Sequence, residues 1–283
     1  MFNGDELLPD PASRNPSRGI ELCGVVEAMF SYTTMFSIHG DVVFADRAEQ
    51  IAYNALPATW ASPKGGDMWA HQYLQAVNEV NAIKADPHVW THDGDLAETY
   101  GLDPNYGCCT ANFNQGWPKF AHMTVFQSPS GGAVVGIYAP MTVTLGDDLT
   151  VSIITDYPFG DSATVIVTNQ RNAPVGIKLR IPSWASAATV NGMSAWNGTF
   201  WEGECTARSV AKFIVEFNPA IRVDYWHNGA VSVHRGALMC VDVACARDGP
   251  CRCCCRLRCC RMGMAMIARL LGDDRPFTTA LMH

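Results

Sequence analysis

Between residues 175 and 181 the apolar side chains Val175, Ile177, Leu179 and Ile181 alternate with Gly176, Lys178 and Arg180. A period of two places alternate residues on opposite faces of an extended strand, so one face can be buried while the other stays wet. Short β-branched runs bounded by Gly, Pro, Asp or Asn recur at 134–138, 149–155, 163–168, 210–217 and 221–226. Several strands at this spacing predict an antiparallel β-sandwich over residues 121–244. Upstream the period is helical. Leu22, Val25, Val26, Met29 and Phe30 follow i, i+3, i+4, i+7, i+8 spacing, and Phe44, Ala48, Ile51, Ala52 and Ala55 make a second run that Asp41 can cap and Pro57 closes. Two helices therefore pair across Gly40, after an opening loop punctuated by Pro9, Pro11 and Pro16. Residues 61–107 read as long loops around a short helix at 73–80, and loops of that length tend to line a site. The fold class is α+β: a helical part over residues 1–120, then the sandwich.

Bulk properties narrow the function. A chain of 283 residues with 48% apolar content can bury a sizeable core. A formal charge of -7 argues against nucleic acid as a partner, because phosphate binding needs a basic face. No run of 18 apolar residues occurs, so no membrane span is expected. The first residues lack the basic and apolar regions of a signal peptide, which leaves the compartment open between cytoplasmic and secreted. Seven of the twelve cysteines fall at or after Cys245, and there seven Arg stand against three Asp in an otherwise acidic chain. Residues 245–283 show no hydrophobic period and read as an aberrant, disordered Cys/Arg-rich end rather than a domain. A thiol-rich metal or redox tract is the other reading of that stretch.

Chemistry concentrates around Tyr106-Gly107-Cys108-Cys109-Thr110-Ala111-Asn112. Neighbouring cysteines seldom close a disulfide with each other. Metal binding, nucleophilic chemistry and two unrelated core thiols all remain. Glu21 and Cys23 add a carboxylate and a third thiol, and one oxygen with three sulfurs is a donor set that suits zinc. Two positions apart on a helix, Glu21 and Cys23 would point away from each other, so they can meet one ion only at an irregular helix start behind Pro16 and Gly19. By the same reasoning Cys108 and Cys109 are expected in a loop.

The motifs Gly4-Asp5-Glu6, Glu21-Leu22-Cys23-Gly24-Val25-Val26-Glu27, Tyr53-Asn54-Ala55-Leu56 and Gly107-Cys108-Cys109-Thr110-Ala111-Asn112 occur in this order, followed by Leu179-Arg180-Ile181-Pro182-Ser183-Trp184-Ala185. Together they resemble glycoside hydrolase family 127, the zinc-dependent β-L-arabinofuranosidases, over residues 3–243. The resemblance implies a helical domain that is the closing part of an (α/α)6 six-hairpin toroid, with the earlier helices absent ahead of Glu6. It also implies a retaining glycosidase acting on an L-arabinofuranoside-type carbohydrate. By position Cys108 matches the nucleophile, Glu6 the acid/base, and Glu21, Cys23 and Cys109 the companion zinc ligands. Asp5 is the rival exposed carboxylate to Glu6. Glu49 matches a sugar-contacting glutamate, with a surface helix position as the plain alternative, and Glu27 reads as a packing or supporting group. His71, His88 and His92 are expected as loop or sugar-contact residues. Trp60, Trp69, Trp90 and Trp117 could stack on a sugar, although a core role is the default for such rings. A non-catalytic β-sandwich module with a structural zinc site is the alternative, since closed structural sites use the same number of ligands.

Overall fold

A computed structural model describes residues 19–61, 70–75, 96–101, 106–225 and 231–240. The described residues from 19 to 239 belong to one compact unit. The expectations for Asp5, Glu6, His88, His92, Trp69, Trp90 and the 245–283 tail lie outside the described residues, and so does the Trp60 side chain.

The chain opens with β1 (Ile20–Glu21), which runs into helix α1 (Leu22–His39). Leu22, Val25, Val26, Met29 and Phe36 are buried along one face of α1. Phe30, expected on that face, is exposed, and the Lys119 ammonium lies 4.9 Å above its ring. The helix ends at Gly40, whose N–H bonds to the Phe36 carbonyl. Helix α2 (Val42–Gln50) is capped as its sequence implies, with the Asp41 carboxylate accepting from the Val43 N–H. A π-helical turn at Ile51–Ala55 follows, then the short α3 (Leu56–Ala58), where Pro57 has no N–H to continue the ladder. Within the stretch expected to be loops, β2 (Trp60–Ala61) pairs with β3 (Ala70–His71), and β4 (Leu74–Gln75) pairs with β1. Of the helix expected at 73–80 only 73–75 are described, and there Leu74 and Gln75 are strand, paired with the β1 backbone; 76–80 lie outside the described residues. Two more helices, α4 (Gly107–Phe113) and α5 (Gly116–His122), follow among the described residues.

The rest is strand. β5 (Val125–Gln127), β6 (Ala133–Val135), β7 (Met141–Leu145), β8 (Leu149–Thr155), β9 (Ser162–Asn169) and β10 (Val175–Ile181) are followed by β11 (Thr189–Val190) and β12 (Met193–Ser194). After these come β13 (Thr199–Cys205), β14 (Ser209–Glu216), β15 (Ile221–Tyr225), β16 (Val231–Arg235) and β17 (Leu238–Cys240). They build a four-stranded sheet in the order β13-β10-β6-β5, a six-stranded sheet in the order β12-β11-β14-β9-β8-β7, and a three-stranded β15-β16-β17 sheet. Val175, Ile177, Leu179 and Ile181 from the first sheet share one core with Val151, Ile153, Val165, Val167 and Val215 from the second. Rows such as Ile153–Val165–Phe213 cross the six-stranded sheet in register and are buried throughout. The expectation of purely antiparallel strands is corrected at one place: β6 runs parallel to β10. The chain between them crosses to the other sheet for β7, β8 and β9, so β10 returns beside β6 in the same direction.

Candidate metal centre

The two halves of the donor set arrive from different elements. Glu21 is still extended (φ -75°, ψ 141°), while Cys23 already sits in the first turn of α1. That break in backbone conformation cancels the divergence a continuous helix would impose. Gly19 sits just ahead with φ +72°, and a Cβ there would meet the Leu74 side chain at 2.9 Å. Only glycine allows both the left-handed turn and the close approach that brings β1 against β4. Cys108 and Cys109 are not in a loop, as expected, but in the first turn of α4. Even so, the two sulfurs lie 4.0 Å apart, close enough for both to hold one ion.

One ligand atom from each of Glu21, Cys23, Cys108 and Cys109 lies within 4.8 Å of every other. The Cys23 and Cys109 sulfurs are 3.3 Å apart, those of Cys108 and Cys109 are 4.0 Å apart, and the Cys109 sulfur is 3.9 Å from Glu21 Oε1. Thiolates at about 2.3 Å from a tetrahedral zinc stand roughly 3.8 Å from one another, so a set whose donor atoms lie from 3.3 Å to no more than 4.8 Å apart fits the ion with shifts of up to about 1 Å. Glu21 is 4% exposed and Cys109 0%, Cys23 is half-buried, and Cys108 is the exposed member. A hydrogen bond from Cys109 pulls the Cys23 thiol down to about 5, against burial and with smaller help from Asn112, Glu21 and Cys108. Donating that bond pushes Cys109 far up, and burial raises Cys108. A divalent cation would take the place of the protons the thiols carry.

Other predicted residues fall elsewhere. Glu49 is 0% exposed, which corrects the surface-helix reading. One of its oxygens pairs with the Arg180 guanidinium and the other accepts from Trp184 Nε1 at 3.1 Å. A sugar contact through Glu49 would have to displace one of these partners. Glu27 forms a half-exposed pair with Lys119 at 2.8 Å, of the kind that adds little stability. Trp117 packs on Tyr53 and Phe120, the core role that is the default for such rings. His71 lies in a strand, buried, where desolvation lowers its pKa and Nε2 is 3.0 Å from Thr110 Oγ1. Asn112, in the same motif, also favours the charged form of Cys23. Its position one helical turn from Cys108 and Cys109 was the available signal.

The fold and this donor set describe a mixed helix-and-strand chain with one carboxylate and three thiols at the helical end. Residues 132–208 match the family model described as "Beta-L-arabinofuranosidase, GH127 middle domain". Among solved structures, the GH127 β-L-arabinofuranosidase of Geobacillus stearothermophilus T6 aligns with TM-score 0.62 and 17% identity, covering 84% of this chain and 38% of that one. A second GH127 β-arabinofuranosidase aligns with TM-score 0.60 and 18% identity, covering 77% and 36%. A structure described only as a glycoside hydrolase gives 0.56 and 22%, covering 77% and 37%. No curated protein matches the chain in sequence. The model that matches residues 132–208 is one of glycoside hydrolase family 127, the family the motifs resemble, and the two titled neighbours share the fold. The chain spans somewhat over a third of the length of these solved structures. No described helix is long and apolar enough to cross a membrane.

Proposed function

We propose that this chain carries part of the site of a retaining glycoside hydrolase acting on β-L-arabinofuranosides or related glycosides, with zinc held by Glu21, Cys23, Cys108 and Cys109. In this reading residues 1–120 are the closing part of the six-hairpin toroid, residues 121–244 the β-sandwich, and 245–283 a tail outside both. The observation that carries the proposal is the graded burial of the donor set. Four protein donors are also the count of a structural zinc site, but here Cys108 is open to solvent while the more buried donors lie behind it, which leaves one thiol within reach of a substrate. The neighbours whose titles name β-L-arabinofuranosidase and β-arabinofuranosidase support the sugar class.

When bound, zinc supplies deprotonated thiolates at neutral pH. Cys108 Sγ attacks the anomeric carbon and the glycosidic C–O bond breaks, while Glu6 gives its proton to the leaving oxygen. Glu6 then takes a proton from water, the water oxygen bonds to the anomeric carbon, and the C–S bond breaks. Two inversions restore the starting configuration. For both turns Glu6 needs a pKa raised toward neutrality.

The test has two parts: zinc per chain by elemental analysis, and release of sugar from a β-L-arabinofuranoside. About one zinc per chain is expected, lowered in Cys108→Ser and Glu21→Ala, because a closed tetrahedral set loses affinity with each ligand removed. Hydrolysis should vanish in Cys108→Ser and Glu6→Gln with the circular dichroism spectrum unchanged. Zinc retained without hydrolysis would favour the structural-site module instead.

A further inference from the structure

His71 is 2% exposed, yet its Nδ1 has no hydrogen-bond partner among the described residues. Its backbone is anchored by a pair of bonds to Gly101: its N–H bonds to the Gly101 carbonyl at 3.3 Å and its carbonyl accepts from the Gly101 N–H at 3.0 Å. Its ring lies 5.5 Å from that of Phe113, and its Nε2 is 3.0 Å from Thr110 Oγ1. Both contacts are to α4, and Thr110 directly follows Cys109. Helix α4 is only seven residues long, and Tyr106 ahead of it makes no side-chain cap. A helix this short cannot fix its own orientation. Rotating it by 20° would carry a side-chain tip at a radius of about 5–6 Å through roughly 2 Å. That displacement exceeds the adjustment the donor set needs to fit one ion.

The geometry points to His71 as a positioning residue for the cysteine pair. Held by β3 and bonded to Thr110, it sets the rotation of α4 and so keeps the Cys108 and Cys109 sulfurs against Glu21 and Cys23. Burial keeps the imidazole neutral and away from solvent, so the bond to the threonine hydroxyl meets no competing water. The inference rests on the zinc reading above, and it assigns His71 a task distinct from ligation or sugar contact.

The test uses the full chain, with zinc affinity measured by chelator competition and cobalt(II) as a spectroscopic probe of the donor geometry. His71→Phe and Thr110→Val should each weaken zinc roughly ten- to hundredfold, as loss of groups that orient metal ligands commonly does. The double variant should lose no more than the larger single effect, because both substitutions remove the same bond. His71→Gln, which places a polar atom near the position of Nε2, should recover most of the affinity. The tetrahedral cobalt bands should weaken in step with each loss. If His71→Phe fails to fold, Thr110→Val decides, since it exchanges only a hydroxyl for a methyl. Unchanged zinc affinity and cobalt bands in Thr110→Val, or strictly additive losses in the double variant, would overturn the inference while leaving the zinc site standing. An unsubstituted chain that binds no zinc would overturn both.

Discussion

Arg180 has the largest fully buried side chain among the described residues, and its charge is met by two carboxylates of α2, Asp46 and Glu49. Burial opposes that charge, but Glu49 and Asp46 more than offset it and hold the Arg180 pKa above its ordinary value. The free carboxylate oxygens are used too: Asp46 Oδ2 accepts from the Ser183 N–H at 3.1 Å and Glu49 Oε1 from Trp184. Removing one member of such a set leaves a buried charge with too few partners. Glu49→Ala should therefore cost about 3–5 kcal/mol in denaturant unfolding. A loss under about 1 kcal/mol, the range of exposed pairs, would mean that water reaches the site. The sequence marks Glu49 only as polar and next to a helical apolar stripe. Whether such a residue faces water, a sugar or another layer depends on what packs on the helix from elsewhere in the chain.

At the scale of elements, the motifs that looked like one signature divide into two tasks. Those around Glu21 and Cys108 build the donor cluster. Those around Tyr53 and Arg180 join helices to strands: the Tyr53 hydroxyl donates to the Tyr138 carbonyl at 2.6 Å, while Asn54 donates to the Ala237 carbonyl and accepts from the Met239 N–H. The π-helical turn presents both residues to the sheets. On the other side of the join, Phe36 of α1 packs on Phe126 and Phe200, and a Cβ on Gly136 would lie 2.3 Å from its ring. Gly136→Ala should cost about 1–3 kcal/mol through overpacking. Gly176→Ala, where an added Cβ meets nothing within 4 Å, is the control. Equal melting temperatures for the two variants would refute a tight seam. The long strands were legible because period and turn residues agree over seven or eight positions, as in β8, β9, β10 and β14. Helix α4 was not, because its seven residues hold too little of a helical period and open with the cysteine pair.

At the scale of the molecule, the described residues form two cores of unequal independence. The core between the sheets draws its buried members from Val125 to Ala237, all on the strand side. The helical core includes Ile137 among its buried residues and leans on Phe126 and Phe200, so it is completed by the strands. A fragment of residues 121–240 should show a β-type circular dichroism spectrum and melt cooperatively, whereas 19–120 alone should show no cooperative transition. The opposite result, helices folding without the sheets, would contradict this account of the seam.

The sequence by itself determined where the backbone turns from a helical period to an alternating one, which strand faces are apolar, and which residues are chemically able to hold a soft metal. Those properties are local: each is set by side-chain type and spacing within a few residues. Only the tertiary structure decided that Cys23 and Cys109, 86 positions apart, stand 3.3 Å from each other, that Cys108 is the exposed thiol, and that Glu49 is spent on Arg180. These depend on how separate elements pack, and packing is chosen by the shape and charge of whole faces brought together by the fold.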